Sequence, residues 1–271
     1  MEKIKERLKK YIHKVCISFN KMEMRILPGN VAFFLVLALI PVITLIAILA
    51  SYFSISLNAL INLINHILPD EAGKIIIEAI SGKGITTSMG TFNIMALIIA
   101  SNGTYAIISA SNTLYNIKNT DPLKDRVKSV VLLLITLFLI IFLLLVPVFG
   151  GIILSWFKST KFITQVRLLY DLLKWPITFF LIFATLKLVY TMAPSTKIKS
   201  SSTTYGALFT TFCWTIATAV FSYYLHYFAN YNIIYGNISN IIILMMWMYI
   251  MSYVFVLGMA INAVNLNEKN K

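Results

Sequence analysis

The sequence predicts an all-α, polytopic membrane protein with six transmembrane helices and an N-terminal amphipathic helix at the membrane interface. Three observations carry this. First, no charged residue occurs between Lys199 and Glu268, and further uncharged stretches run from Ile26 to Pro69, Gly84 to Ile117 and Ser129 to Phe157. Second, 59% of the 271 residues are hydrophobic and the mean hydropathy is +0.82, whereas soluble domains hold about 45–50% apolar residues. Third, the apolar runs are continuous and do not alternate. In lipid the backbone must bond internally, so continuous runs select helices over a β-barrel.

The elements follow in order. Ile4, Leu8, Tyr11, Ile12, Val15, Phe19, Met22 and Ile26 recur at spacings of three and four, with lysines filling much of the remainder. This predicts an amphipathic helix over 1–27 on the inner membrane interface, its lysines meeting anionic headgroups. It is read either as a lipid sensor or as a topology anchor. A crossing needs about 20 apolar residues, and six stretches qualify: roughly 30–54, 89–112, 129–155, 172–193, 204–228 and 239–264. Pro41 lies inside the first. Pro147 is expected to interrupt the third near its outer end, where Phe149-Gly150-Gly151 follows. Between the first two crossings, residues 56–88 suggest two short amphipathic helices on the outer surface. The membrane domain is therefore 28–265, with a short cytoplasmic tail at 266–271.

Lysine and arginine set the orientation. The side holding the N-terminus, the 113–128 loop, the 194–203 loop and the C-terminus carries sixteen of them; the other side carries six, namely Lys74, Lys83, Lys158, Lys161, Arg167 and Lys174. Both termini are expected in the cytoplasm, in a bacterial inner membrane. The same bias accounts for the net charge of +13, and no nucleic-acid motif accompanies it, so no nucleic-acid partner is expected. Cys16 and Cys213 have no metal-ligand neighbours and predict neither disulfide nor metal site. The ten acidic residues avoid the deep parts of the crossings, and His13, His66 and His226 are scattered. No catalytic constellation, cofactor motif or nucleotide-binding motif is legible, which argues against an enzyme.

Polar residues inside the crossings fall in register. Ser101, Tyr105, Ser109, Asn112 and Asn116 share a face of the second helix; Thr211, Thr215, Thr218, Ser222, His226 and Asn230 share one on the fifth. Both faces are expected to turn away from lipid, either lining a hydrated groove or forming a packed seam of hydroxyl groups. Asn102 is deep and needs a partner. Lys187, the one charge inside a crossing, either attracts an anionic headgroup or snorkels to the cytoplasmic surface.

The order of several short motifs resembles the YihY/BrkB family of bacterial inner-membrane proteins. These are Ala32-Phe33-Phe34-Leu35 with Leu39-Ile40-Pro41, then Ser111-Asn112-Thr113-Leu114-Tyr115-Asn116-Ile117, then Tyr190-Thr191-Met192-Ala193-Pro194 with Lys197, and Gly206-Ala207. Tyr231, Tyr235-Gly236-Asn237, Trp247-Met248-Tyr249 and Leu257-Gly258 complete the series, over about 28–262. The family commonly continues Leu-Gly-Ala-Glu, whereas Ala260 stands here at the position of the Glu. The resemblance implies an envelope or transport role without a defined substrate. It also brings an older ribonuclease label, which the residues do not support.

The expected function is a transporter or flippase-like protein for an envelope lipid or other amphiphile, with membrane lipids as partners. The alternative is a membrane scaffold or envelope-assembly factor. On the first reading, Ser109, Asn112, Tyr115, Asn116 and Lys187 contact a headgroup, and Thr215, Thr218, Ser222 and His226 line the opposite wall. Pro41, Pro194, Tyr235, Gly236, Trp247 and Gly258 are structural positions.

Overall fold

The computed structural model describes residues 13, 15–52, 61, 77, 90–156, 163–227 and 236–269. Side chains at 40, 44, 47–52, 90–93, 143–156, 227, 237 and 267–269 fall outside that description. Among the described residues all regular structure is helical. Six long helices follow one another: α1 (Leu27–Tyr52), α2 (Gly90–Leu114), α3 (Pro122–Trp156), α4 (Ile163–Met192), α5 (Thr204–Tyr227) and α6 (Ser239–Lys269). Segments of α2, α4, α5 and α6 (Ile94–Leu114, Ile163–Met192, Thr204–His226 and Ser239–Leu266) are long and apolar enough to cross a membrane on their described residues, and Leu27–Leu39 is a shorter apolar stretch. Each helix packs on the next, and α6 closes the circuit against α1.

Three boundaries differ from the sequence expectation. The first is α3, which stays helical through 147–151. Proline removes a single ladder bond, and one lost bond does not end a helix of 35 residues. The second is α4, which begins at Ile163 and runs through Pro176, so much of the expected basic outer loop is helix. The third is the N-terminal element. Residues 15–19 are helical, Asn20 turns, Lys21 is extended, and one 3₁₀ turn, Met22–Arg25, leads into α1. A single amphipathic helix through Ile26 is therefore interrupted, and Ile17, Phe19, Met22 and Ile26 are all exposed. Met24 nonetheless plugs the core, and the Phe19 ring stands edge-on to Tyr253 at 5.9 Å. Residues 1–12, the proposed outer helices over 56–88 apart from residues 61 and 77, and Tyr231, Tyr235 and Asn230 lie outside the described residues.

Neighbouring helices run antiparallel. Thr104 donates to the Ser129 carbonyl at 2.7 Å between α2 and α3, and Gly103 lets the flank of Leu35 and Ala38 on α1 approach. The closest approach joins α5 to α6. A Cβ on Gly206 would stand 2.0 Å from the Gly258 carbonyl, and one on Gly258 would stand 2.0 Å from Thr210 Oγ1. No side chain larger than hydrogen fits there, which is how small residues bring membrane helices into contact.

Burial is unequal along the helices. Ile107, Ile108, Leu114, Leu186, Tyr190, Ala193, Ala207, Val256, Met259, Ala260 and Ile261 form one continuous core where α2 ends and α5 begins. We call this the closed end. Ala260, where the family resemblance leads one to expect Glu, is fully enclosed in it. Away from it, the first half of α4 exposes Leu168, Leu169, Leu172, Trp175, Ile177 and Phe180, while α5 exposes Phe212, Ile216, Val220 and Tyr223. The part of α5 far from the closed end keeps contact with α6 through Phe221 and Leu225 against Ile243, Leu244 and Trp247.

Candidate functional site

The closed end is held by two hydrogen-bonded clusters. The first begins with Asn112, buried near the end of α2. Its Nδ2 donates to Asp125 Oδ2 at 3.1 Å and to Ser195 Oγ at 2.8 Å, and its Oδ1 accepts from the Ser195 backbone N–H at 2.8 Å. Ser195 Oγ in turn donates to Asp125 Oδ1 at 2.5 Å. One amide thus ties α2, the first turn of α3 and the turn after α4 into a ring in which both carboxylate oxygens are satisfied. Lys128 Nζ reaches over to donate to the Pro194 carbonyl. Burial holds the Lys128 pKa below its ordinary value, and the nearby Asp125 charge opposes that shift. Pro194 itself is buried.

The second cluster centres on Tyr190, which is fully buried. Its hydroxyl donates to the Phe255 carbonyl at 2.7 Å and meets Thr210 Oγ1 at 2.7 Å. One turn from Thr210, the Gly206 backbone N–H donates to Asn262 Oδ1 at 2.7 Å. That amide is one of the four unpaired donors at the start of α5, so Asn262 caps α5 from across the interface. Trp214 Nε1 donates to the Met251 carbonyl at 2.9 Å. The bonds run through the gap that Gly206 and Gly258 open.

Local chemistry explains why these elements end where they do. Asn116 has φ +55°, in the left-handed region. The Ile117 N–H bonds back to the Asn112 carbonyl and the Asn116 N–H to that of Thr113, a Schellman closure of α2. Asp121 caps α3: its carboxylate accepts from the N–H groups of Leu123 and Lys124, with Pro122 at the first helical position. The backbone N–H of Lys124 is the chief reason its pKa falls below the usual carboxylate value.

The sequence-predicted residues separate along the bundle. The second-helix stripe does not turn wholly inward: Ser101 and Asn112 are buried, Tyr105 is half-buried, and Ser109 and Asn116 are exposed. Tyr115 is half-buried against the core, with a hydroxyl that has no partner among the described residues and a pKa pushed up by burial. On α5, Thr211 is buried, Thr218 is half-buried, and Thr215, Ser222 and His226 are exposed. Thr211 and Thr215 donate back to the carbonyls of Ala207 and Thr211, and Thr218 points at Met251 Sδ, 3.9 Å away. Lys187 is half-buried, its Nζ 5.9 Å from the Phe183 ring centre. Trp247 is buried and Pro41 half-buried; Gly236, at φ +53°, turns the chain into α6. Asn102 finds its partner in Arg126.

Asp125, Ser195, Thr210 and Asn262 were not singled out by sequence. The one available signal was Asn112, a deep amide that demanded partners. Among the described residues no group of three or more His, Cys, Asp or Glu side chains is placed to hold a metal.

Antiparallel apolar helices joined by buried amide and hydroxyl bonds define an integral membrane protein of the α-helical class. The chain belongs to the BrkB family: the profile described as Virulence factor BrkB matches residues 15–271. It is similar to the ribonuclease-like protein YfkH of Bacillus subtilis, at 30% identity over 90% of both chains. A UPF0761 membrane protein of Coxiella burnetii is 34% identical over 41% of this chain and 44% of its own. Another from Chromobacterium violaceum is 26% identical over 85% of this chain and 55% of its own. No solved structure matches.

Proposed function

We propose that this chain crosses the bacterial inner membrane six times, with both termini and the closed end in the cytoplasm, and moves an envelope lipid or other amphiphile. One observation carries the reading: burial and polar bonding concentrate at one end of the bundle, while α4 and α5 expose both apolar and hydroxyl side chains at the other. Tight burial at one end with less burial on α4 and α5 at the other is what one state of an alternating-access cycle would show. Thr215, Thr218, Ser222 and His226 then offer polar contacts along the outer half of α5. Lys187 and Ser109 lie toward the inner leaflet. Asn112, Tyr115 and Asn116 belong to the seal and act on the substrate by releasing it. The membrane unit is 28–265, flanked by the N-terminal segment and a short tail, and neither nucleic acid nor enzymatic turnover is part of the reading. The ribonuclease-like name stays with the Bacillus protein.

The test is reconstitution. Proteoliposomes holding the purified chain are expected to redistribute a labelled lipid between leaflets, or to move a labelled amphiphile, faster than empty vesicles; equal rates under every imposed gradient contradict transport. A second reading, a membrane scaffold or assembly factor, draws on the back-bonding of Thr211 and Thr215. Hydroxyl groups satisfied by their own helix need no groove. That reading predicts no transport, with the same residues shielded from water.

A further inference from the structure

The exposed flank of α2 is polar at one end and apolar at the other. Ile94 and Ile98 are 61% and 50% exposed; Asn102, Tyr105, Ser109 and Thr113 continue the same face at spacings of four, three, four and four. Arg126, from α3, lies across this flank. Its Nη1 donates to Asn102 Oδ1 at 2.8 Å, its Nη2 donates to the Ile98 carbonyl at 3.2 Å, and its guanidinium carbon stands 5.8 Å from the centre of the Tyr105 ring. These three contacts fix the group in place while two of its five N–H donors are used.

Among the described residues it has no counter-charge. Of the described aspartates, Asp125 is bound by Asn112 and Ser195, Asp121 by Lys124, and Asp171 by Lys174. No ion pair to Arg126 forms among the described residues. A guanidinium keeps its charge at every physiological pH and presents a planar fork that matches phosphate oxygens. Half-buried beside the apolar residues of this flank, it keeps three N–H donors with which to meet an anion from outside.

We propose that Arg126, Asn102, Tyr105 and Ser109 form a binding site for the phosphodiester of an anionic phospholipid in the leaflet next to the closed end. The phosphate meets the free N–H groups of Arg126, and the Ser109 hydroxyl, about 10 Å along the helix from Asn102, reaches the rest of the headgroup. The acyl chains run the other way, over Ile98 and Ile94. The polarity of the flank thus repeats, end to end, the polarity of the lipid. The site is independent of the transport reading: a scaffold would hold this lipid equally well.

The experiment uses the full chain in a neutral detergent. Dihexanoyl phosphatidylglycerol, dihexanoyl phosphatidylcholine and inorganic phosphate are titrated separately, with thermal unfolding and native mass spectrometry as readouts. Phosphatidylglycerol is expected to raise the melting temperature and to be retained in the mass spectrum, with phosphatidylcholine, whose choline cation offsets the phosphate charge and repels Arg126, binding at least about tenfold more weakly. Arg126→Gln is expected to bring phosphatidylglycerol down to the phosphatidylcholine level. Ser109→Phe leaves every bond of Arg126 in place, blocks the flank, and is expected to weaken phosphatidylglycerol severalfold; it carries the test if Arg126→Gln does not fold. Unchanged retention in the variant tested, or equal binding of both lipids by the native chain, overturns the proposal. An equal stabilisation by inorganic phosphate overturns the lipid as the source of the anion.

Discussion

Asn112 joins three elements with one amide. Its loss leaves the Ser195 N–H and one oxygen of Asp125 without partners at a site where Asp125 is 7% exposed. Orphaned buried groups cost about 1–3 kcal/mol each, so Asn112→Ala is expected to destabilise by about 2–4 kcal/mol, read from unfolding in denaturing detergent. Because Asn112 and Ser195 share a ring, their effects should not add; a double-mutant cycle is expected to give a coupling of about 1–2 kcal/mol, and independent effects would contradict the ring. Asn116 shows the opposite case, a polar residue chosen for its backbone. At φ +55°, Asn116→Gly should be neutral or slightly stabilising, whereas Asn116→Val should cost about 1–2 kcal/mol. The sequence marked both asparagines as headgroup contacts, because spacing reveals a shared face but not which side chains are consumed by capping or by a loop that returns from far along the chain.

At the scale of helices, the apolar runs were legible because a bilayer-length stretch without charge has few other readings. Each of the six long helices begins or ends within a few residues of an expected limit, whereas α3 and α4 begin seven and nine residues early. The failures have local causes. Pro147 reads as a break but removes only one ladder bond. Arg167, Asp171 and Lys174 read as loop, yet Lys174 pairs with Asp171 one turn earlier at 2.7 Å and all three continue α4. The crossing of α5 and α6 was visible only as two glycines. The consequence is severe: Gly258→Ala puts a methyl group 2.0 Å from Thr210 Oγ1 and 2.7 Å from the Tyr190 hydroxyl. Overpacking of that degree is expected to cost about 3 kcal/mol or more, seen as loss of monodisperse protein on extraction. Tyr190→Phe, which empties the same gap of one hydroxyl, should cost about 1 kcal/mol, since hydrogen bonds between membrane helices are modest. A wild-type melting curve for Gly258→Ala would show that α5 and α6 do not pack as described.

For the whole molecule, the class was written in composition, and the family in the order of weak motifs. The uneven closure of the bundle was not. Periodicity assigns faces around a helix axis, whereas sealing varies along it: the polar stripe of α5 goes from buried Thr211 to exposed Ser222 and His226, while that of α2 mixes buried Ser101 and Asn112 with exposed Ser109 and Asn116. Orientation rests on the lysine and arginine bias. Reporter fusions after residues 120, 198 and 271 are expected to report cytoplasm, and fusions after 160 and 232 the opposite side; a reversed pattern would put the seal outside. The central claim, an inner seal with an open outer half, is tested most directly by solvent access. With Cys16 and Cys213 replaced by Ala, single cysteines at Ser111, Ser222 and Thr215 are treated with a charged maleimide on both sides of the membrane. Rapid labelling of Ser222→Cys and Thr215→Cys from outside, with Ser111→Cys protected from either side, is the predicted result. Labelling of Ser111→Cys from the cytoplasm, or protection of both α5 positions from the charged reagent, would contradict it.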